Sequence, residues 1–246
     1  MIGSLCLSSK GETTERLTVM RLVCLSDTHN QHKDLGELPK GDVLIHAGDW
    51  TGTGTKRQVI DFIDWFASQP HPHKILIAGN HELTLDKPHY QKEWWRFHNT
   101  KADEGEIKDY VLNHPAIHYL EDSELVIEGR KFYGSPYSPA FGGWGFNIER
   151  GLPIRAIWSN IPDDTDVLIT HGPPAGFGDE LYFGERVGCG DLLKEVVHRV
   201  NPVVHIFGHI HEGYGKYESE NTVFLNASIC DEKYTRTNAP IVFDLK

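Results

Sequence analysis

No stretch of these 246 residues is apolar and uncharged for the roughly 20 positions a transmembrane helix needs, so no membrane span is expected. Cysteine is scarce: Cys6, Cys24, Cys189 and Cys230 stand far apart and form no C-x-x-C pair. That argues against a disulfide scaffold or a thiolate zinc site and predicts a reduced, cytoplasmic protein. Positive charge is short as well, with Lys+Arg 24 against Asp+Glu 35 and a formal net charge of −11. A surface built to grip long nucleic acid needs the opposite balance. A small anionic substrate stays open, because bound cations dominate the field close to them. Residues 1–20 lack the apolar core of a secretion signal and include the polar run SSKGETTER, so they read as a flexible leader. No linker, low-complexity tract or solenoid repeat divides the remainder, and 21–246 reads as one domain. With 39% hydrophobic residues, the chain is too apolar to stay disordered.

What the chain has in excess is histidine, 15 in all, and their placement is patterned. Short runs of Val, Ile and Leu end abruptly in Asp, His, Asn and Gly: LVCLSDTH (22–29), VLIHAGDW (43–50), ILIAGNHE (75–82), VLITHGPP (167–174) and VVHIFGHIH (203–211). Apolar runs of this length bounded by Gly and polar residues predict strands buried on both faces. Between them, 58–68, 90–99 and 192–200 carry helical spacing, for instance Val59, Phe62, Ile63 and Phe66. Strands alternating with helices predict an α/β fold with parallel pairing. In the middle, 117–120, 124–128 and 131–134 read as short strands with a hairpin turn at 128–130, and 135–147 as an ordered loop. Segments 222–225 and 241–245 alternate as edge or sandwich strands do.

In α/β sheets, ligands gather beyond the carboxyl ends of the strands. Five such ends here present Asp27 and His29, then Asp49, then Asn80 and His81, then His171, then His209 and His211. The set offers carboxylates, imidazoles and one amide but no thiolate, which suits Mn, Fe, Zn, Ni or Co. It is too large for one ion that keeps a place for substrate, and two ions sharing a carboxylate fit better. Any one of these motifs is equally well a turn former; five at five strand ends are not. Inside apolar strands, His46 and His205 read as core residues or as groups that orient ligands. His32, His71, His73, His89, His98, His114, His118 and His198 read as solvated, and Trp94 and Trp95 as packing. In the 135–147 loop, Tyr137, Phe141, Trp144 and Phe146 either stack on a substrate base or form the loop's own core.

In this order, D-x-H (Asp27, His29), G-D (Gly48, Asp49), G-N-H-E (Gly79, Asn80, His81, Glu82), H-G (His171, Gly172) and G-H-x-H (Gly208, His209, His211) resemble the calcineurin-like metallophosphoesterase signature. SDTHNQH, HAGDW, THGPP and NASIC resemble its metallophosphoesterase-domain-containing subfamily. The resemblance implies an α/β/β/α sandwich of two mixed sheets flanked by helices. It implies two divalent transition-metal ions, Mn²⁺ foremost, the first held by Asp27, His29, Asp49 and His211 and the second by Asp49, Asn80, His171 and His209. Hydrolysis of small phosphodiesters or cyclic nucleotides by a metal-bridging hydroxide is implied too, with His81 at the scissile phosphate and Asn226 reaching the pocket. Gly48-Asp49-Trp50-Thr51-Gly52 lacks the arginine that protein Ser/Thr phosphatases carry after G-D, which weakens a phosphoprotein substrate. A phosphomonoesterase remains the alternative, and a scaffold without catalysis is disfavoured by the complete ligand set.

Overall fold

The computed structural model describes residues 19–246, so the expected leader at 1–20 lies outside the described residues except for Val19 and Met20. The chain runs β1 (Met20–Leu25), β2 (Val43–Ala47), α1 (Lys56–Ser68), β3 (His73–Ile77), α2 (Lys87–Glu93), α3 (Glu104–Leu112) and β4 (His118–Tyr119). A hairpin of β5 (Ser123–Ile127) and β6 (Arg130–Ser135) follows, then a short parallel pair, β7 (Ser138–Pro139) and β8 (Asn147–Ile148). It continues through α4 (Leu152–Trp158), β9 (Val167–Thr170), α5 (Gly190–Glu195), β10 (Val204–Phe207), β11 (Gly215–Glu218), β12 (Val223–Asn226) and β13 (Ile241–Leu245).

Two mixed sheets result, ordered β13-β1-β2-β3-β4 and β11-β12-β10-β9-β6-β5. Inside each sheet the central strands are parallel and an edge strand is antiparallel, β13 in the first and β11 and β5 in the second. Alternation along the buried strands builds the layers. In β1, Leu22 and Cys24 enter the core between the sheets, with Ile45, Ile75, Ile169 and Ile206. Val23 and Leu25 face the other way, onto Phe62 and Phe66 of α1. The outer face of the second sheet is covered by Ile154 and Trp158 of α4 and by Leu192 of α5. This is the α/β/β/α sandwich. Among the described residues no helix is long and apolar enough to cross a membrane.

Helix α1 starts two residues before the expected 58. Thr55 accepts from the Gln58 backbone N–H, and the Gln58 side chain accepts in return from the Thr55 N–H, a capping box. Burial of Val59, Phe62, Ile63 and Phe66 stabilises it by about 1.5–3 kcal/mol for each side chain. The helix expected at 90–99 sits earlier, because Asp86 caps it and Pro88 lies in its first turn; Trp94–Arg96 is only a tight 3₁₀ turn. The one expected at 192–200 begins at Gly190 and widens over Val196–Val200 before Asn201 closes it at φ +47°.

Helices α3 and α4 were not evident in the sequence, since each buries just two apolar side chains. Strand β11 was not evident either. The hairpin turn at Glu128-Gly129 is as expected, both residues having positive φ. Residues 118–119, however, do not belong to it: β4 pairs parallel with β3 at the edge of the first sheet. Of the two segments expected as edge or sandwich strands, β12 is interior, between β10 and β11, and β13 is an edge. The carboxyl ends of β1, β2, β3, β9 and β10 thereby come to one end of the sandwich.

Candidate metal centre

At three of those five ends, after β1, β2 and β10, the backbone is forced into an unusual shape. Asp27, His29, Asp49 and His209 have φ of +54°, +41°, +56° and +68°, the left-handed region that L side chains avoid. Such strain persists only where surrounding structure fixes it and clusters at functional sites. The motif glycines make room for the result. A Cβ on Gly79 would stand 2.3 Å from an Asp49 carboxylate oxygen, and one on Gly208 would stand 2.0 Å from Asp27 Oδ2.

Three triads of ligand atoms lie within 4.8 Å of one another: Asp27, His29 and His211; His29, Asp49 and His81; Asp49, His171 and His209. Asp49 sits centrally, its Oδ2 3.2 Å from His171 Nε2, 3.9 Å from His81 Nε2 and 4.0 Å from His29 Nε2. Its Oδ1 accepts from the His81 backbone N–H at 2.8 Å. Asp27 accepts from the His209 N–H and from Ser228 Oγ, and lies 3.4 Å from His211 Nε2. Asn80 Oδ1 stands 2.9 Å from His171 Nε2.

The imidazoles show which atoms face inward. His81, His171 and His211 each place Nδ1 against a backbone carbonyl, Gly52 at 2.7 Å, Ala47 at 2.9 Å and Asp231 at 2.7 Å. A carbonyl only accepts, so each Nδ1 carries hydrogen and the neutral ring turns the lone pair of Nε2 into the centre. His29 Nε2 then lies 3.3 Å from His211 Nε2, and His171 Nε2 faces both Asn80 Oδ1 and Asp49 Oδ2. With the His171 ring neutral, its Nε2 lone pair would face the acceptor oxygens of Asn80 and Asp49, so a proton or a metal cation must lie between them. Carboxylate and amide oxygens together with imidazole nitrogens fit divalent transition-metal ions.

The electrostatics agree. Burial pushes the Asp27 carboxyl up, but the hydrogen bond and charge of His211 outweigh it and hold the carboxyl well below the usual range. Asp49 is likewise held low against burial by His171 and His81. Burial pulls His171 and His211 down, yet their carboxylate neighbours raise both to about 9. Burial prevails at His29, lowered to about 4, and at His209, lowered to about 3. At pH 7 the metal-free His171 and His211 therefore hold protons that a bound cation displaces.

Behind the ligands sits a brace that the sequence reading did not single out. Glu82 is fully buried and accepts from the N–H groups of Asp49, Thr51 and Gly79 and from Thr51 Oγ1, all at 2.7–2.9 Å. Burial, then the Asp49 charge, push its carboxyl up to about 8. The N–H and hydroxyl donors that converge on it act the other way, toward the carboxylate. It ties the Asp49 turn to the His81 turn. His46 and His205, each fully buried, lie 3.0 and 2.8 Å from the hydroxyls of Thr28 and Thr170, next in sequence to Asp27 and His171.

A cavity of about 400 Å³ opens over the centre, lined in part by His29, Asp49, Asn80, His81, His209 and His211. Of the aromatics expected at the substrate, Phe141 and Trp144 line it. Trp144 is stacked on His81, centroids 4.1 Å apart at 20°, so one of its faces is already covered. Tyr137 and Asn226 stand outside it. Tyr137 packs against Phe146, itself a core residue, and the buried Asn226 amide donates to Gly178 and Ile210 carbonyls while its oxygen accepts from the Ser228 N–H. Tyr234, Arg150, Glu212 and Glu232 line the cavity without having stood out in the sequence, since no local pattern marks them.

Two histidines expected in solvent are buried. His32 lies beneath α1 beside Asp61, Phe62 and Trp65, and His71 bonds the Pro39 carbonyl. His73, His89, His98 and His114 are half-buried, while His118 and His198 are exposed. Trp95, expected to pack, is 65% exposed, and Trp94 is half-buried.

Comparison with known proteins places this arrangement. The sequence profile of the calcineurin-like phosphoesterases matches residues 20–213. The human protein metallophosphoesterase domain-containing protein 1 is 45% identical over 233 residues, covering 92% of this chain and 71% of its own length. A Caenorhabditis elegans relative, UPF0046 protein K07C11.7, is 41% identical over 94% of this chain and 77% of its own. Among solved structures, TT1561 of Thermus thermophilus superposes with a TM-score of 0.53 at 13% identity, over 85% of this chain and 89% of that one. That likeness is one of fold.

Proposed function

Because the chain belongs to the calcineurin-like phosphoesterase family, we propose that it is a dinuclear metal-dependent phosphodiesterase of small phosphodiesters, cyclic nucleotides among them. The observation that carries this reading is the central Asp49, shared between one group of ligands with His29 and another with His171 and His209. Asp27, His29, Asp49 and His211 would hold the first ion; Asp49, Asn80, His171 and His209 the second. With imidazole, carboxylate and amide donors, manganese is the proposed metal. A pair of such ions supplies a nucleophilic water at neutral pH and neutralises the non-bridging phosphate oxygens.

The protein's own groups do the rest. Glu82 fixes the Asp49 and His81 turns, so the ligands need not reorganise when substrate enters. His81 is oriented from two sides, by the Gly52 carbonyl on Nδ1 and by the Trp144 ring on its face. Its Nε2 is thus the atom that exchanges protons with the cavity. In the imidazolium form it donates to the leaving oxygen, a contribution worth roughly 10²–10⁴-fold. The size of the cavity admits a nucleotide-sized ester, and a net charge of −11 opposes long nucleic acid.

The test is a panel of bis-p-nitrophenyl phosphate, p-nitrophenyl phosphate and 2′,3′- and 3′,5′-cyclic nucleotides with Mn²⁺, Ni²⁺, Zn²⁺ and Mg²⁺, alongside metal analysis. We expect two ions per chain, diesters hydrolysed in preference to the monoester, and both activity and the second ion lost in Asp49→Ala. A monoester preference would make the protein a phosphatase instead. Saturation at one ion that survives Asp49→Ala would overturn the dinuclear centre.

A further inference from the structure

Asp231 to Tyr234 form a tight turn, with the Tyr234 N–H donating to the Asp231 carbonyl at 2.9 Å. The Asp231 N–H donates to the Thr235 carbonyl at 2.8 Å, and Cys230 and Arg236 pair antiparallel beyond it. The last residue of the turn, Tyr234, has φ +57°. A turn followed by a left-handed residue inside a short hairpin is a common design, and glycine or asparagine is the residue that suits that place. A large aromatic there is strained, and nothing in the turn itself calls for one. Asp231 Oδ1, which accepts from the Lys233 and Thr235 N–H groups, would close the same turn around a glycine.

What the strain achieves is the placement of a ring. Tyr234 stands edge-on to His29 at 4.7 Å and to His211 at 5.3 Å, and 6.3 Å from His81. The turn is bolted to the metal centre by His211, whose Nδ1 donates to the Asp231 carbonyl, and by Gln31, whose amide donates to the Tyr234 carbonyl. Yet the residue is 51% exposed and lines the cavity, so its ring presents surface to whatever fills that space. Away from the ligands the cavity walls include the apolar Pro139, Phe141, Pro173, Leu181, Val187 and Ile210. Beside them stand the charged Arg150, Glu212 and Glu232, Arg150 being bonded to the Gly188 and Val187 carbonyls. The apolar part of the wall offers contact to carbon.

From this geometry we infer that Tyr234 is a specificity-determining residue, its ring packing on a flat organic group of the ester while the phosphate lies over the ligands. The inference rests on the phosphodiesterase reading above for its substrate. Its backbone cost is independent of that reading.

Two diesters with the same leaving group separate the contributions: bis-p-nitrophenyl phosphate carries a second aromatic ring where methyl p-nitrophenyl phosphate carries a methyl group. In Tyr234→Asn we expect kcat/KM to fall about 5- to 100-fold on the first, the range of one lost ring-stacking contact, and by less than about 3-fold on the second. Tyr234→Phe should keep the preference for the two-ring ester. The metal-free Tyr234→Asn and Tyr234→Gly proteins should melt no lower than the parent, because the strain is relieved. A lowered melting temperature with equal losses on both esters would make Tyr234 a packing residue and overturn the inference. If the parent protein hydrolyses neither ester, it is the phosphodiesterase reading that fails. Calorimetric affinity of the Mn²⁺-loaded protein for p-nitrophenyl phosphate then decides, and an affinity unchanged by Tyr234→Asn overturns the role of Tyr234.

Discussion

The floor of the cavity and its rim are built on opposite terms. On the floor, Asp27, Asp49 and His171 are buried, each held by specific hydrogen bonds, and the rings of His81, His171 and His211 are each oriented by a carbonyl on Nδ1. On the rim, Phe141 is 64% exposed and Tyr234 half-exposed, and neither side chain is hydrogen-bonded to another described residue. The floor comes from strand ends, where residues two apart reach one point and rigid sheets hold them. The rim comes from loops at 139–150, 173–187 and 230–236 that meet only after folding. The chain therefore keeps a preorganised chemical centre and leaves the surface that chooses among substrates open to change.

If that division is right, the largest effect belongs to His81, the proposed proton donor of the floor. His81→Ala should lower kcat by about 10²–10⁴-fold while two ions per chain remain bound. Measured together, turnover and metal content tell the roles apart. Loss of an ion would show that His81 is needed to hold metal, in keeping with its place in a triad with His29 and Asp49.

The brace comes next. In Glu82→Gln an amide NH₂ must face N–H donors that now meet a carboxylate oxygen. Two buried donors lose their acceptor, at about 1–3 kcal/mol each, and metal affinity should fall about 10- to 100-fold as ligand support weakens. Thermal melting and metal titration check the two parts separately. Unchanged affinity in a destabilised protein would confine Glu82 to the fold and blur the contrast between a preorganised floor and an adaptable rim.

How much of this was legible beforehand follows the same line. The strand ends carrying Asp27, Asp49, Asn80, His171 and His209 could be read because the signal is local, an apolar run cut short by polar residues. The stripe of Val59, Phe62, Ile63 and Phe66 likewise announced α1, though not its start, which the Thr55–Gln58 capping box sets two residues earlier. Helices α3 and α4 could not be read, since Ile107 and Val111, or Ile154 and Trp158, make too narrow a stripe. Burial of His32 depends on Phe62 and Trp65 arriving from α1. Asn226 was carried over by resemblance, whereas its amide is taken up by the Gly178 and Ile210 carbonyls. The membership of Tyr234 in the site depends on a turn far along the chain from Asp27, and no periodicity reports that.

Trp144 lies on the boundary between the two regions, and the smallest effect is expected there. From the sequence it reads either as a platform for a base or as packing. In the structure one face lies on His81, and Phe97 stands 4.9 Å away at a tilt. Its work on this geometry is to hold His81 flat against the cavity wall, with the Gly52 carbonyl holding the ring's Nδ1. An aromatic pair of this kind is worth about 0.5–1.5 kcal/mol. Trp144→Ala should therefore lower kcat by about 2- to 10-fold on every diester alike, with KM little changed, and Trp144→Phe should recover most of it. The informative comparison is between substrates. A rise in KM confined to nucleotides, with kcat intact on p-nitrophenyl esters, would mean that Trp144 grips the base and belongs to the rim. A uniform fall in kcat assigns it to the floor, as a support for His81, the proposed proton donor.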